Sequence, residues 1–317
     1  MSIRVRLFAE RDYLAFVRIK SLADGARLSV DDVRAEDGRW DHSRYEKVRV
    51  VSVDEEDAPI GYGEIYHEPS RFERRRYFLR LGVDGALRRR GIGAAIWQQL
   101  RAELDERSAL VACLWVGDRT ACHSFIEARG FVEVIRAYEQ VVALATARIP
   151  LRAAEEKIAG TGIEIKTVAE LRRDRGETVL HDVQDLRTAA RIDQPTLGPV
   201  TSGPFEEWLA YNIDGPQALP DAYFVALEGD RCVGCSSAVR MSDDQLRIGI
   251  TAVLPAYRRR GIARLLKLRV HDWARRNSYR EIHTSTTRPN VGMLALNESL
   301  GYVIVDSWGG YELRMSS

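Results

Sequence analysis

Short runs rich in β-branched and aromatic residues alternate along the chain with longer stretches whose apolar residues recur at helical spacing. In the first half the strand patterns fall at residues 3–8, 45–53, 58–66, 75–83, 109–116 and 131–144. Helical patterns occupy 11–28, the segment that opens near residue 91, and 120–129. The second half repeats this order, with strand patterns at 163–166, 222–228, 231–240, 246–253 and 281–286 and a final strand carrying Tyr311. Its helices open near residue 261 and span 290–300. Between 166 and 222 the chain has no steady period; Gln194-Pro195-Thr196-Leu197-Gly198-Pro199 lies there, as do Phe205, Trp208 and Tyr211 at helical spacing. That spacing reads as core packing, with a wall of a pocket as the alternative. Residues 145–162, with Pro150, a charged helical stretch and Gly160-Thr161-Gly162, read as a linker. The expected domains are therefore 1–150 and 151–317. Hairpins followed by a β-α-β unit predict an α/β class in each, a mixed, mostly antiparallel sheet flanked by helices.

The two halves share more than element order. Arg88-Arg89-Arg90-Gly91-Ile92-Gly93-Ala94 is echoed 170 residues later by Arg258-Arg259-Arg260-Gly261-Ile262-Ala263-Arg264. Ile60-Gly61-Tyr62-Gly63 corresponds to Val233-Gly234-Cys235-Ser236, and Gly130-Phe131 to Gly301-Tyr302. Three anchors in one order, at nearly one offset, describe a duplicated domain, because solenoid repeats are far shorter (about 20–50 residues). Each basic turn joins a strand pattern to a helical one. The first N–H groups of a helix lack intrahelical partners, the dipole is positive there, and glycine admits close backbone approach. The duplicated turn thus predicts two places to hold a phosphorylated ligand.

Composition narrows the picture mainly by exclusion. Formal net charge is +1 on 317 residues, so no global field favours nucleic acid or an anionic membrane. No window approaches a membrane-spanning length of uncharged apolar residues, and the N-terminal stretch is charged from Arg4, unlike a secretory signal. The run Arg74-Arg75-Arg76 reads as a solvated hairpin tip. Cys232 and Cys235 lie within a strand pattern, where residues three apart face opposite ways, so they read as buried reduced thiols and not as a metal pair. The histidines show no paired spacing, and no metal is expected. A cytoplasmic location follows from these readings.

The pattern Arg88-x-x-Gly91-x-Gly93, repeated as Arg258-x-x-Gly261-x-Ala263, resembles the signature of the GNAT superfamily of N-acetyltransferases. The second half also resembles that family's Asn-x-x-Ala-x-x-Leu-Tyr-x-x-x-Gly-Phe segment through Asn290, Leu296, Gly301 and Tyr302. The likeness covers nearly the whole chain as two fused domains, similar in arrangement to mycothiol synthase. It implies acetyl-CoA (CoA) as cofactor and direct attack of an amine on the thioester. The implied cofactor residues are Leu81, Gly82, Val83, Arg88, Arg89, Arg90, Gly91, Ile92, Gly93 and Ala94 in the first half. In the second they are Thr251, Ala252, Val253, Arg258, Arg259, Arg260, Gly261, Ile262, Ala263, Arg264 and Asn290. Turn amides would meet the pyrophosphate, and the strand ends would pair with the pantetheine arm.

The chain departs from the family where the acid is expected. Ile126 and Asn297 stand at the tyrosine position, and Arg119 stands where the second half has Asn290. Candidate catalytic residues are Glu64, whose counterpart is Ser237, then Asn297, and Tyr138 and Tyr311 on the last strand of each half. The expected activity is acetylation of a small-molecule amine by a monomer or homodimer. A non-catalytic acyl-CoA-binding or scaffolding protein, and a protein N-acetyltransferase, are the alternatives. The second half keeps more of the family pattern and is expected to hold the cofactor better.

Overall fold

The computed structural model describes residues 3–24, 28–118, 122–192 and 194–315. In order the chain forms β1 (Arg4–Leu7), α1 (Tyr13–Asp24), α2 (Val30–Gly38), β2 (Lys47–Val53), β3 (Pro59–Tyr66), β4 (Arg76–Val83), α3 (Ile92–Glu106), β5 (Val111–Gly117), α4 (His123–Glu127) and β6 (Val132–Ala143). It continues with α5 (Leu151–Ile158), β7 (Ile163–Thr167), α6 (Val168–Arg175), α7 (Thr178–Ala189), α8 (Phe205–Asn212), β8 (Phe224–Glu228), β9 (Arg231–Arg240), β10 (Gln245–Val253), α9 (Ile262–Arg276), β11 (Glu281–Thr287), α10 (Val291–Ser299) and β12 (Val303–Arg314). Two compact units result. Unit 1 is Met1–Trp115, Ser124–Glu133 and Tyr311–Ser317; unit 2 is Val116–His123 and Val134–Gly310.

In unit 1, β1 to β4 pair antiparallel in sequence order, and β5 joins β4 in parallel. The end of β12 then lies beside β5, with the Met315 N–H donating to the Leu110 carbonyl. In unit 2, β7 to β10 are antiparallel, β11 joins β10 in parallel, and β6 pairs antiparallel with β11 from Glu281↔Ala143 to Thr287↔Ala137. Each unit thus draws on a strand of the other sequence repeat beside its parallel pair: unit 1 on residues 311–314 at the end of β12, unit 2 on residues 134–143 of β6. No local pattern announces such an exchange, because β6 and β12 are equally good strands in either place.

In each unit the strands carry apolar side chains on both faces. In unit 1, Ile92, Ile96, Leu100 and Leu104 of α3 are buried, contributing roughly 1.5–3 kcal/mol each. Gly61 and Gly63 let α3 approach: a Cβ at Gly63 would come within 2.5 Å of Ile96. Phe16, Ile19, Val51, Val53 and Tyr62 form a cluster under α1. In unit 2, α5 and α9 pack on one face through Ile158, Leu265 and Leu266. Helices α6, α7 and α8 cover the other through Leu171, Leu180, Val183 and Trp208.

Three helices fall outside the sequence reading: α2, α6 and α7. The first two are short and polar, and capping boxes start them, Ser29 with Asp32 and Thr167 with Glu170. Gly176, at φ 74°, stops α6. The strand alternation also breaks once where it mattered. A bulge between β8 and β9 leaves Val233 unopposed, so Cys232 and Cys235 fall in one apolar cluster instead of on opposite faces. Both are buried free thiols.

Candidate active site

The two basic turns fold alike. In unit 1, Arg89 and Gly91 have φ of 65° and 85°; in unit 2, Arg259 and Gly261 have 64° and 92°. Gly91 and Gly261 are the N-caps of α3 and α9, and neither helix start receives a side-chain cap. Left-handed residues before a helix turn successive N–H groups toward one point, where an anion sits well. Little crowds either glycine: among the described residues a Cβ at Gly91 would meet only Ile3, at 3.6 Å. Backbone conformation is what requires glycine here.

Several turn arginines are already engaged. Arg258 Nε donates to the Val253 carbonyl at 2.9 Å, Arg260 to the Ala256 carbonyl at 2.9 Å, and Arg264 to Ser299 Oγ at 2.8 Å. They hold the turn's shape and add a positive field. Arg88, Arg89 and Arg90 are exposed.

Beside each turn the parallel strands part. β4 pairs with β5 only from Arg76↔Val111 to Phe78↔Cys113, so Leu81, Gly82 and Val83 run on past the paired segment. β10 pairs with β11 only from Gln245↔Glu281 to Arg247↔His283, which leaves Thr251, Ala252 and Val253 likewise. The strands differ in one respect. β4 pairs with β3 without interruption, whereas β10 bulges against β9 between Ile248 and Ile250. The bulge switches faces: Ile248 packs in the α5–α9 cluster, Ile250 and Ala252 in the α6–α8 cluster.

Glu64 is fully buried within an ion cluster. Arg49 reaches it at 2.8 Å, Arg80 at 3.2 Å and Lys47 at 3.7 Å, while Asp37 binds both Arg49 and Lys47. Burial alone would raise its pKa, but the charges of Arg49, Lys47 and Arg80 outweigh that and hold it below the ordinary value. A carboxylate ringed by cations is a poor proton acceptor. The positions matching the opposed pair Glu64↔Arg80 in unit 2 are Ser237↔Ile250, with no charge.

Asn297 is also fully buried. Its Nδ2 donates to Gln140 Oε1 at 2.8 Å and Thr286 Oγ1 at 3.1 Å. Asn290 caps α10, its side chain accepting from the Met293 N–H. Ile126 is buried in α4, and Arg119 lies outside the described residues. The strand exchange moves both tyrosines: Tyr138 belongs to unit 2, opposite Thr286, and Tyr311 to unit 1, where its hydroxyl donates to Glu133 at 3.2 Å. Trp208 is packed in the α6–α8 cluster, Phe205 stacks on His181 with centroids 3.6 Å apart, and Tyr211 is exposed.

The sequence reading passes over a cluster on three strands of unit 2. Arg247 on β10 binds Glu139 on β6 at 2.7 Å, and His283 on β11 lies between Glu139 (3.3 Å, through Nδ1) and Glu281 (3.4 Å). Alternation puts these side chains on the face of α6–α8, but only the exchanged β6 brings Glu139 beside them. Among the described residues no set of three or more His, Cys, Asp or Glu could hold a metal ion, and no helix is long and apolar enough to cross a membrane.

Comparison with known proteins agrees with this geometry. No curated protein matches the chain. Its fold is similar to that of a GCN5-related N-acetyltransferase from Sphaerobacter thermophilus, at 18% identity and a TM-score of 0.71, over 98% of this chain and 95% of the other. It is similar also to a tandem GNAT protein from the clavulanic acid biosynthesis pathway, solved without AcCoA, at 15% identity and a TM-score of 0.73, over 100% and 99% of the two chains. The model of the acetyltransferase (GNAT) family matches residues 17–131 and again 182–302. The chain belongs to the acetyltransferase (GNAT) family, carries that domain twice, and is an N-acetyltransferase.

Proposed function

We propose that unit 2 transfers the acetyl group of acetyl-CoA to the amino group of a small molecule. The observation that carries this reading is the bulged, parted strand β10 leading into a turn whose Arg259 and Gly261 are left-handed. N–H groups around residues 259–264 would meet the pyrophosphate, with Arg258, Arg260 and Arg264 supplying positive field. Residues 251–253 would pair with the pantetheine arm as a further strand. At the bulge, backbone N–H groups released from the ladder would face the thioester oxygen and stabilise the tetrahedral oxyanion.

The nucleophile is the acceptor's own amine, so no covalent enzyme intermediate is needed. Asn297, with its amide donated to Gln140 and Thr286, does not serve the leaving thiolate. Tyr138 stands opposite Thr286 and on the strand face of Gln140, and we assign it the proton for the thiolate. A small acceptor is supported by cover on the sheet face beyond β10: Thr287 donates to the Pro195 carbonyl at 3.3 Å, and Gln184 to the Gly203 carbonyl at 2.9 Å. The first contact ties Pro195 to the end of β11, and the second ties Gly203 to α7. In unit 1 the Glu64 cluster occupies the matching region and favours cofactor binding or support without catalysis.

Thiol release from acetyl-CoA with ethanolamine, spermidine and glucosamine as acceptors tests the activity. Calorimetry with acetyl-CoA should show micromolar binding, about −8 kcal/mol. No heat and no thermal stabilisation at millimolar acetyl-CoA would overturn the reading.

A further inference from the structure

We infer that His283 is the proton acceptor that deprotonates the acceptor's ammonium group in unit 2. The inference rests on the proposed acetyl transfer and adds the group that makes the amine nucleophilic. An alkylammonium has no lone pair, and with a pKa near ~10 almost none is free amine at neutral pH.

Arg247↔His283 is the last register pair before β10 and β11 part, and Gly249 in the bulge is two residues further, roughly 7 Å along the strand. His283 therefore stands at the floor of the opening into which the thioester would reach. Its neighbour Ile282 packs in the α5–α9 cluster, so His283 projects to the opposite face, where Ile250, Ala252 and α6–α8 lie. On that face Thr287, two residues from Ser285 and four from His283, meets the Pro195 carbonyl.

Nδ1 of His283 faces Glu139 Oε1 at 3.3 Å, and the buried Nε2 has no hydrogen-bond partner among the described residues. Glu281 Oε2 lies 3.4 Å from Nε2 but is held by Gln245 Nε2 at 3.0 Å. Burial would raise the pKa of Glu139; His283 and Arg247 outweigh it and keep the carboxylate ionised below its ordinary value. Among the described residues, the charged groups paired in this cluster with His283 are Glu139 from β6, Arg247 from β10 and Glu281 on β11. An imidazole oriented by a carboxylate is the arrangement that makes a base of histidine.

The proton balance closes. One ammonium proton passes to His283 Nε2 and later to solvent. The freed nitrogen lone pair forms the C–N bond with the thioester carbon, the C–S bond breaks, and a second nitrogen proton ends on the thiolate as CoA thiol.

The test uses the full chain and two nucleophiles, ethanolamine, which is ammonium at neutral pH, and hydroxylamine, which is largely unprotonated there. His283→Asn should lower kcat/KM for ethanolamine by about 10²–10³-fold, lower it for hydroxylamine only a few-fold, and leave acetyl-CoA binding intact. Its ethanolamine rate should also rise with pH across the range in which wild type has levelled off, and added imidazole should restore part of the rate to His283→Ala. Glu139→Gln, which keeps the shape, should give a weaker version of the same split. Equal losses for both nucleophiles, or ethanolamine turnover within twofold of wild type, would overturn the assignment. A wild type that binds acetyl-CoA but releases no thiol with either nucleophile would instead sink the underlying acetyl-transfer reading, and this assignment with it.

Discussion

The two units share a sheet order, a turn and a pair of left-handed residues, yet they treat the space beside the parted strands in opposite ways. Unit 1 fills it with charge: Glu64, fully buried, is bound by Arg49 and Arg80, and Asp37 ties in Lys47. Unit 2 has Ser237 and Ile250 at the matching positions, bulges its strand, and sets Arg247, Glu139 and His283 at the floor of the opening. On the proposed reading, a duplicated fold keeps its basic turn in both copies while the surroundings of the parted strands diverge.

The largest expected effect comes from breaking the turns one at a time. Gly261→Asp puts a side chain at φ 92° and a negative charge among the helix-start N–H groups, and should lower kcat/KM by about 10³-fold or more. Gly91→Asp should leave turnover within about threefold, since unit 1 is assigned no catalysis. Steady-state thiol release separates them, and equal losses would erase the distinction between units.

Next is the ion cluster. Glu64→Gln leaves Arg49 and Arg80 without their buried counter-charge and should cost about 3 kcal/mol in urea unfolding, with turnover per folded molecule unchanged. Because the folded pKa of Glu64 is depressed, its contribution is present above the unfolded carboxylate value and is lost as pH falls through the folded one. A stable variant with lost activity would return Glu64 to the catalytic machinery.

A third contrast lies in the helices after the turns. Where α3 has Trp97 against Phe131, with centroids 5.5 Å apart, α9 has Lys267 over the Tyr302 ring at 4.9 Å. Lys267 is fully buried with no hydrogen-bond partner for Nζ, and burial lowers its pKa from 10.5 to about 7. The unfolded chain therefore binds the extra proton, and unit 2 should gain stability as pH rises from about 7 toward 10.5. Lys267→Met should remove that slope and stabilise the protein by about 2 kcal/mol at neutral pH. An unchanged slope would place the titration elsewhere.

The smallest contrast is between the tyrosines. Tyr138→Phe should lower kcat about tenfold by removing the thiolate's proton donor. Tyr311→Phe, which loses the bond to Glu133, should change kcat by less than about twofold. The reverse order would move the chemistry to unit 1.

Much of this architecture is legible in the sequence. The basic turns can be read because an arginine-flanked glycine between a strand and a helix has few other uses, and both adopt one backbone. The β-strands follow from apolar periodicity, whereas α2 and α6 rest on caps and on a single apolar residue or two, which periodicity does not register. The exchange of β6 and β12 is illegible locally, since pairing partners are set by the whole sheet. For that reason Tyr138 reads as part of the first repeat and Glu139 is overlooked altogether. Glu64 reads as a strand carboxylate; only the fold shows Arg49, Lys47 and Arg80 closing around it. The Cys232 and Cys235 pair is misplaced by one bulged residue, a shift too small for composition to reveal.

A crystal structure of the protein with acetyl-CoA would show whether unit 2 is the one in which acetyl-CoA meets its acceptor. The account predicts pyrophosphate against residues 259–264, the pantetheine arm alongside 251–253, and the thioester at the bulge between Ile248 and Ile250, above His283. Ligand found only against residues 81–94, with 251–264 empty, would contradict it.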